Sequence, residues 1–306
     1  MHKIALVGLG KIARDQHLPS IARNPDFELA AIVSRNATHD GVDNFATLEA
    51  MLAARPDIKT IALCTPPQVR HAYAVAAIEA GRHVLLEKPP GATVAEVESL
   101  RSLARDHGVT LFATWHSRYA QGVGPARHWL ADKTITNADI VWREDVRRWH
   151  PGQDWIWTPG GMGVFDPGIN ALSILTHILP APVHVTSATL EIPQNRQTPI
   201  GAKLGFRALS GHPVSADFDW RQEGPQTWTI TVETKAGVLE LVDGGASLKI
   251  DGQPQIAADD TEYDGIYAHF ARLLAAGESD VDAAPLQLVA DAFMLGEIRT
   301  VAPFED

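Results

Sequence analysis

Near the start of the chain, Gly8-Leu9-Gly10-Lys11-Ile12-Ala13 follows an apolar, β-prone run over residues 3–7. The pattern is G-x-G-x-x-A, and the chemistry it suits is pyrophosphate binding. A strand, a tight glycine turn and a helix start bring backbone N–H groups and the positive end of a helix dipole to the anion. Gly8 makes the turn, Gly10 clears room for a ligand, and Ala13 lets the helix pack closely on the strand. A second apolar strand, residues 29–33, ends in Ser34-Arg35, where a Rossmann fold ordinarily places an acid for the ribose 2′-hydroxyl. A guanidinium pairs instead with a 2′-phosphate, and a serine donates to it, so the expected cofactor is NADP+, with NAD+ also accepted.

A second group of residues suits a sugar. Trp142, Trp149, Trp155 and Trp157, four of the eight tryptophans, lie in one segment with Glu144 and His150. Aromatic faces cover the C–H surfaces of a sugar ring, while carboxylates, imidazoles and amides fix its hydroxyls. Just beyond, Gly160-Gly161-x-Gly163 precedes Asp166 and Asn170, whose i, i+4 spacing puts both on one helical face. The glycines let a ligand approach the backbone. Lys88 follows directly on a strand, where a lysine is placed to accept a proton or to stabilise an alkoxide.

The elements that position these residues read in two styles. Through residue 118 strands and helices alternate. Thr47 caps a helix, a strand over 60–64 ends at Thr65-Pro66-Pro67, and a helix from about residue 68 stops at Gly81. A strand over 83–87 ends at Lys88-Pro89-Pro90-Gly91; a helix with the capping box Thr93-x-x-Glu96 then runs to Gly108, and residues 111–114 form the closing strand. Such alternation predicts a parallel sheet covered on both faces, with ligands at the strand ends that carry Gly8, Ser34, Thr65, Lys88 and Trp115. Later come helices over 124–131 and 166–179, a strand over 138–142, and a series of alternating strands over 183–190, 203–208, 214–220, 227–234, 238–242 and 247–250. Helices over 263–276 and 285–301 finish the chain. The expected fold is α/β: a doubly wound Rossmann domain, 1–118, and an α+β domain with a large open, mostly antiparallel sheet, 119–306, for substrate and oligomer contacts.

Composition excludes several classes. The 306 residues exceed what one core usually organises, which favours two domains. A formal net charge of -11 argues against nucleic acid, whose binding draws on clustered Lys and Arg. Cys64, the single cysteine, rules out intramolecular disulfides and thiolate metal clusters, and the dispersed histidines lack zinc spacing, so no metal is expected. Met1 leads straight into an apolar strand without a basic leader, and no apolar run spans a bilayer, which predicts a cytoplasmic protein without membrane contact.

Taken together, Gly8-x-Gly10-x-x-Ala13, Thr65-Pro66-Pro67 followed by His71, Glu87-Lys88-Pro89, and Gly160-Gly161-x-Gly163-x-x-Asp166-x-x-x-Asn170 resemble the glucose–fructose oxidoreductase / inositol dehydrogenase (Gfo/Idh/MocA) family, in order and spacing, over essentially the whole chain. Four further stretches (Lys11 to His17, Trp115 to Arg118, Glu144 to Gly152, Phe165 to Leu172) are similar to the bacterial branch that oxidises L-arabinose or D-galactose at C1. The resemblance implies NAD(P)+-dependent oxidation of such an aldose to its aldonolactone, with Lys88 and Asp166 catalytic. It implies sugar contacts at Glu144, His150, Asn170, Trp149 and Trp228. Cofactor contacts are expected at Gly8, Gly10, Lys11, Ile12, Ser34, Arg35, Cys64, Thr65, Pro66, Glu87, Lys88 and Trp157, and a homodimer or higher homo-oligomer through the C-terminal sheet. Most family members carry histidine where this chain has Asn170; an amide does not titrate, so proton acceptance falls to Asp166 or Lys88. The alternatives are another polyol or sugar dehydrogenase of this family and a non-catalytic nucleotide-binding regulator, against which the pairing of Lys88 with Asp166 speaks.

Overall fold

The computed structural model describes residues 1–257 and 261–305. In chain order the first elements are β1 (His2–Val7), α1 (Leu18–Arg23), β2 (Phe27–Val33), β3 (Asp43–Phe45), α2 (Leu48–Ala54), β4 (Thr60–Leu63), α3 (Pro67–Glu79), β5 (His83–Leu86), α4 (Val94–Asp106) and β6 (Leu111–Ala113). The strands pair in parallel in the order β3-β2-β1-β4-β5-β6, so the winding reverses direction beside β1. β4 is buried at every residue and β5 at all but its first, as continuous apolar runs covered on both faces must be.

Caps fix the helix starts. The Thr47 hydroxyl accepts from Ala50 N, and the Thr93 hydroxyl accepts from Glu96 N, both at 3.2 Å. The Glu96 carboxylate reaches one residue further back than a capping box requires, to Ala92 N. Ahead of α1, residues Ala13–His17 form a π-helical turn in which Leu18 N–H bonds Ala13 O. Pro19 accounts for it: a proline has no N–H for the carbonyl four residues back and its ring crowds that carbonyl, which a widened turn relieves.

The next elements are α5 (Val123–Leu130), β7 (Ile135–Arg143), α6 (Val146–Trp149), α7 (Phe165–Ile178), β8 (Val183–Pro193), β9 (Gly201–Ala208), β10 (Pro213–Asp219), β11 (Thr227–Thr234), β12 (Gly237–Val242), β13 (Ser247–Ile250), β14 (Gln253–Ala257), α8 (Glu262–Ala276), α9 (Ala284–Leu295) and β15 (Gly296–Val301). The second sheet runs β14-β13-β12-β11-β7-β10-β9-β8-β15, antiparallel except where β7 meets β10 and β8 meets β15. Along β10, Val214, Ala216 and Phe218 are buried while their neighbours are not, which leaves one sheet face for helices. α7 lies on that face at close range, since a Cβ on Gly168 would meet the Phe218 ring at 2.9 Å. Phe165 closes the contact edge-on to Phe218 and tilted against Phe293 of α9.

Three features depart from the sequence reading. The chain divides into Met1–His116 with Tyr263–Ala283, and Ser117–Glu262 with Ala284–Asp306, rather than at residue 118. Nearly all of α8 therefore completes the first unit: Tyr267 and Phe270 are fully buried, Phe270 stacks on Phe27 at 5.7 Å, and Tyr267 meets Phe27 edge-on. Each such side chain contributes roughly 1.5–3 kcal/mol by leaving water, which outweighs any preference for sequence neighbours. Behind α8, Asp280 pairs with the free edge of β6 through Asp280 N to Leu111 O and Ala113 N to Asp280 O. Second, the expected helix over 285–301 is α9 followed by the edge strand β15. Third, β3 and β14 are additional edge strands. No helix among the described residues is long and apolar enough to cross a membrane.

Candidate active site

In the first unit the strand ends gather the predicted residues. Gly8 follows β1 at φ +94, and a Cβ there would come within 3.1 Å of the backbone at Cys64 and Thr65, so β4 ends hard against the glycine turn. Gly10 differs: a Cβ would meet nothing within 4 Å, so its bareness serves no internal packing. That is the cradle a dinucleotide phosphate needs, and the residues present fit one. Ala13 is fully buried, as close helix packing requires. Lys11 is exposed and ion-paired with Asp15; Ser34 is half-buried; Arg35 is exposed at the end of β2 and makes no ion pair with a described residue. Cys64 and Thr65 are half-buried and Pro66 is exposed at the end of β4.

Lys88 is half-buried, two residues beyond β5, on a backbone held from two sides. Arg70 of α3, only 2% exposed, donates to the carbonyls of Thr65, Glu87 and Pro89, tying the ends of β4 and β5 together. The Glu87 carboxylate is buried and turned inward. Its Oε1 accepts from His17 Nε2 at 2.9 Å and from the Tyr263 hydroxyl at 2.8 Å, while Oε2 accepts from Lys88 N at 2.9 Å. The Glu87 oxygens are thus held by groups of the protein. Burial opposes a charge on either partner, but Cys64, Tyr267 and Glu87 hold the His17 pKa well above its usual value. For Glu87, His17 outweighs burial, aided by His116 and Tyr263, and holds the carboxyl below the usual range. His71 bonds Ser99 and His116 stacks on Tyr263, both as parts of the fold.

In the second unit the parallel pairing of β7 with β10 matches Arg143 to Asp219 and so brings Glu144 beside Trp220. Glu144 is 3% exposed; its Oε1 accepts from Trp220 Nε1 at 3.2 Å and its Oε2 from Trp228 Nε1 at 2.8 Å. Trp142, Trp228 and Trp149 follow one another at centroid distances of 5.9 and 5.4 Å, a continuous indole wall. His150 packs on Trp220 and places Nε2 3.5 Å from Asp166 Oδ2. Asp166 lies in the first turn of α7, where the helix dipole favours a carboxylate, and Asn170 follows one turn on. Their loop is built tightly. A Cβ on Gly161 would fall 2.1 Å from Trp155 O, and Gly163 has φ +56 with Pro199 O at 2.3 Å from its would-be Cβ.

The structure thus brings Glu144, His150, Trp149, Trp228 and Asp166 into one cluster. Trp157, expected against a cofactor, is 4% exposed and packs on Trp220 and Phe304 beneath the Arg196 guanidinium. Trp220 was missed by sequence reasoning, because only a non-local strand pairing brings it to Glu144. The arrangement suits a polyhydroxylated ring: an aromatic wall, a carboxylate held by two donors, and an imidazole–carboxylate pair able to exchange a proton.

The chain is similar to known proteins. Residues 2–114 match the family model described as an oxidoreductase family with an NAD-binding Rossmann fold. The chain is 44% identical over 304 residues to galactose 1-dehydrogenase from Pseudomonas fluorescens, covering 99% of each. It is similar to the crystal structure of D-galactose-1-dehydrogenase from Rhizobium etli at TM-score 0.96 and 55% identity, covering 99% of this chain and 97% of that one. A 3-ketoreductase from Actinomadura kijaniata, solved with NADP, shares the fold at TM-score 0.83 and 18% identity, covering 98% and 99%.

Proposed function

Since the chain belongs to the Gfo/Idh/MocA family of oxidoreductases, we propose that it is an NAD(P)+-dependent aldose 1-dehydrogenase that converts D-galactose, and L-arabinose with it, to the aldonolactone. The observation that carries the reading is the Glu144 carboxylate held between the Trp220 and Trp228 indole N–H groups beside the His150–Asp166 pair. When bound, NADP+ or NAD+ supplies the acceptor for the hydride that leaves C1. The protein's part is the proton and the charge. Lys88 and Asp166 share acceptance of the anomeric hydroxyl proton and stabilise the oxygen as its negative charge grows. Asn170, Glu144 and His150 read the remaining hydroxyls, and Trp149 and Trp228 cover the ring's C–H face. Gly8, Gly10, Ser34 and Arg35 hold the phosphates and the adenosine ribose.

D-Galactose and L-arabinose share their ring configuration from C1 to C4. A pocket built for an axial C4 hydroxyl leaves buried polar groups unpaired with D-glucose or D-xylose, at roughly 1–3 kcal/mol per group. The kcat/KM for the first pair should therefore exceed that for the second by about tenfold to a hundredfold, measured as NADPH formation. Equal efficiencies would exclude this substrate class.

The cofactor reading has its own test. Arg35→Ala should weaken NADP+ binding by roughly tenfold or more, the worth of a charge-assisted contact, and leave NAD+ binding nearly unchanged. Titration of each cofactor by protein fluorescence reads this directly, and equal losses for both would remove Arg35 from 2′-phosphate recognition. The enzyme is further proposed to be cytoplasmic and to assemble as a homo-oligomer through its second sheet, which sedimentation analysis would test.

A further inference from the structure

We propose that His17 is a positioning residue for Lys88, acting through a buried imidazole–carboxylate pair with Glu87. The geometry supports a direct line. His17 is fully buried, its Nε2 is 2.9 Å from Glu87 Oε1, and the other oxygen of the same carboxylate accepts the Lys88 backbone N–H at 2.9 Å. The far side of the imidazole is equally held, with Nδ1 2.7 Å from the Tyr267 hydroxyl and the ring edge-on to Tyr263 and Tyr267. Glu87 therefore cannot turn without breaking its bonds to His17, Tyr263 and the Lys88 N–H, and the backbone that launches Lys88 cannot shift without turning Glu87. Arg70 completes the frame from α3 through the carbonyls on either side of Lys88.

The pair also sets the local charge. The titratable groups facing it are Tyr263 and Tyr267 from α8, Cys64 at the end of β4, His116 beyond β6, and the Arg70 guanidinium. With His17 charged, Glu87 presents a nearly neutral pair to Lys88. Without it, a buried carboxylate one residue away favours the protonated, non-basic lysine.

The inference rests on Lys88 taking part in proton transfer, so its test includes a readout that needs no substrate. Competitive acetylation of Lys88 as a function of pH, followed by mass spectrometry, gives the midpoint at which the amine becomes reactive. In His17→Gln that midpoint should rise by about one unit, and in His17→Gln/Glu87→Gln, where the lone carboxylate is gone, it should return toward wild type. His17→Gln should also lower kcat by roughly tenfold, with KM for sugar and cofactor changed by no more than a few fold, as misplacement of a reacting group does. An unshifted midpoint in His17→Gln overturns the proposal whatever the rate does. If His17→Gln does not fold, Tyr263→Phe, which withdraws one donor from the same Oε1, should shift the midpoint in the same direction by less, and no shift there overturns it equally. A wild-type enzyme inert toward every aldose would count against the substrate reading alone, because the acetylation profile is indifferent to it.

Discussion

Lys88→Ala is expected to lower kcat by about 10²-fold or more while NADP+ still binds, and Asp166→Ala to do the same. Lys88 extends from a backbone fixed by the Glu87 carboxylate and by Arg70, so truncating its side chain removes the amine and leaves the frame standing. The loss should fall in kcat rather than in KM, since proton acceptance and alkoxide stabilisation matter only as the transition state forms. For Asp166 the neighbour matters too. His150 Nε2 is 3.5 Å away, and losing the carboxylate removes an anion that faces the imidazole. Steady-state rates with D-galactose, set beside cofactor binding measured by fluorescence, decide the matter. Activity within a few fold of wild type in either variant would remove that residue from the chemistry.

A single methyl group at Gly161 should do comparable damage by another route. The added Cβ would lie 2.1 Å from Trp155 O and 2.7 Å from Ile156 Cα, backbone atoms with no rotamer to yield. Ile156 and Trp157 are buried, and Gly163 N is bonded to Ile156 O, so the displacement passes into the turn from which Asp166 N bonds Gly163 O. Gly161→Ala should destabilise the fold by roughly 1–3 kcal/mol, as overpacking does. A shift near 1 Å at Asp166 would lower kcat by up to about 10²-fold. Gly152→Ala is the comparison: its φ is +69 but a Cβ there meets nothing, so it carries backbone strain alone. Thermal melting of the two variants separates the effects, and equal melting temperatures would show that the close approach at Gly161 is not what matters.

The sequence made the nucleotide half legible because its signals are local. Gly8-x-Gly10 lies directly after its strand, Thr47 and Thr93 cap as their positions suggest, and β4 and β5 read as apolar runs. The second sheet was legible through alternation, and Glu144, His150 and Asp166 could be named from one short segment. What stayed hidden depends on partners far apart in sequence. Glu87 reads as part of a cofactor motif, yet its carboxylate answers to His17 and Tyr263, which no spacing rule links to it. Trp220 joins the site only because β10 pairs with β7 in parallel. β15 follows directly on α9 at Gly296, and an edge strand with no buried residue offers little periodicity to set it apart.

The return of α8 to the first unit has a consequence for how the protein is made. Synthesis delivers β1 through β6 first, but Phe27 and Phe112 meet Phe270, and His17 meets Tyr267, only when residues 263–283 have been translated. Until then the nascent Rossmann sheet lacks the aromatic cover of α8 and the bridge to the β6 edge, while the intervening chain holds every strand of its own sheet except β15. Both units therefore wait on the end of the message: the first closes when α8 arrives, and the second only when α9 and β15, translated later still, reach α7 and β8.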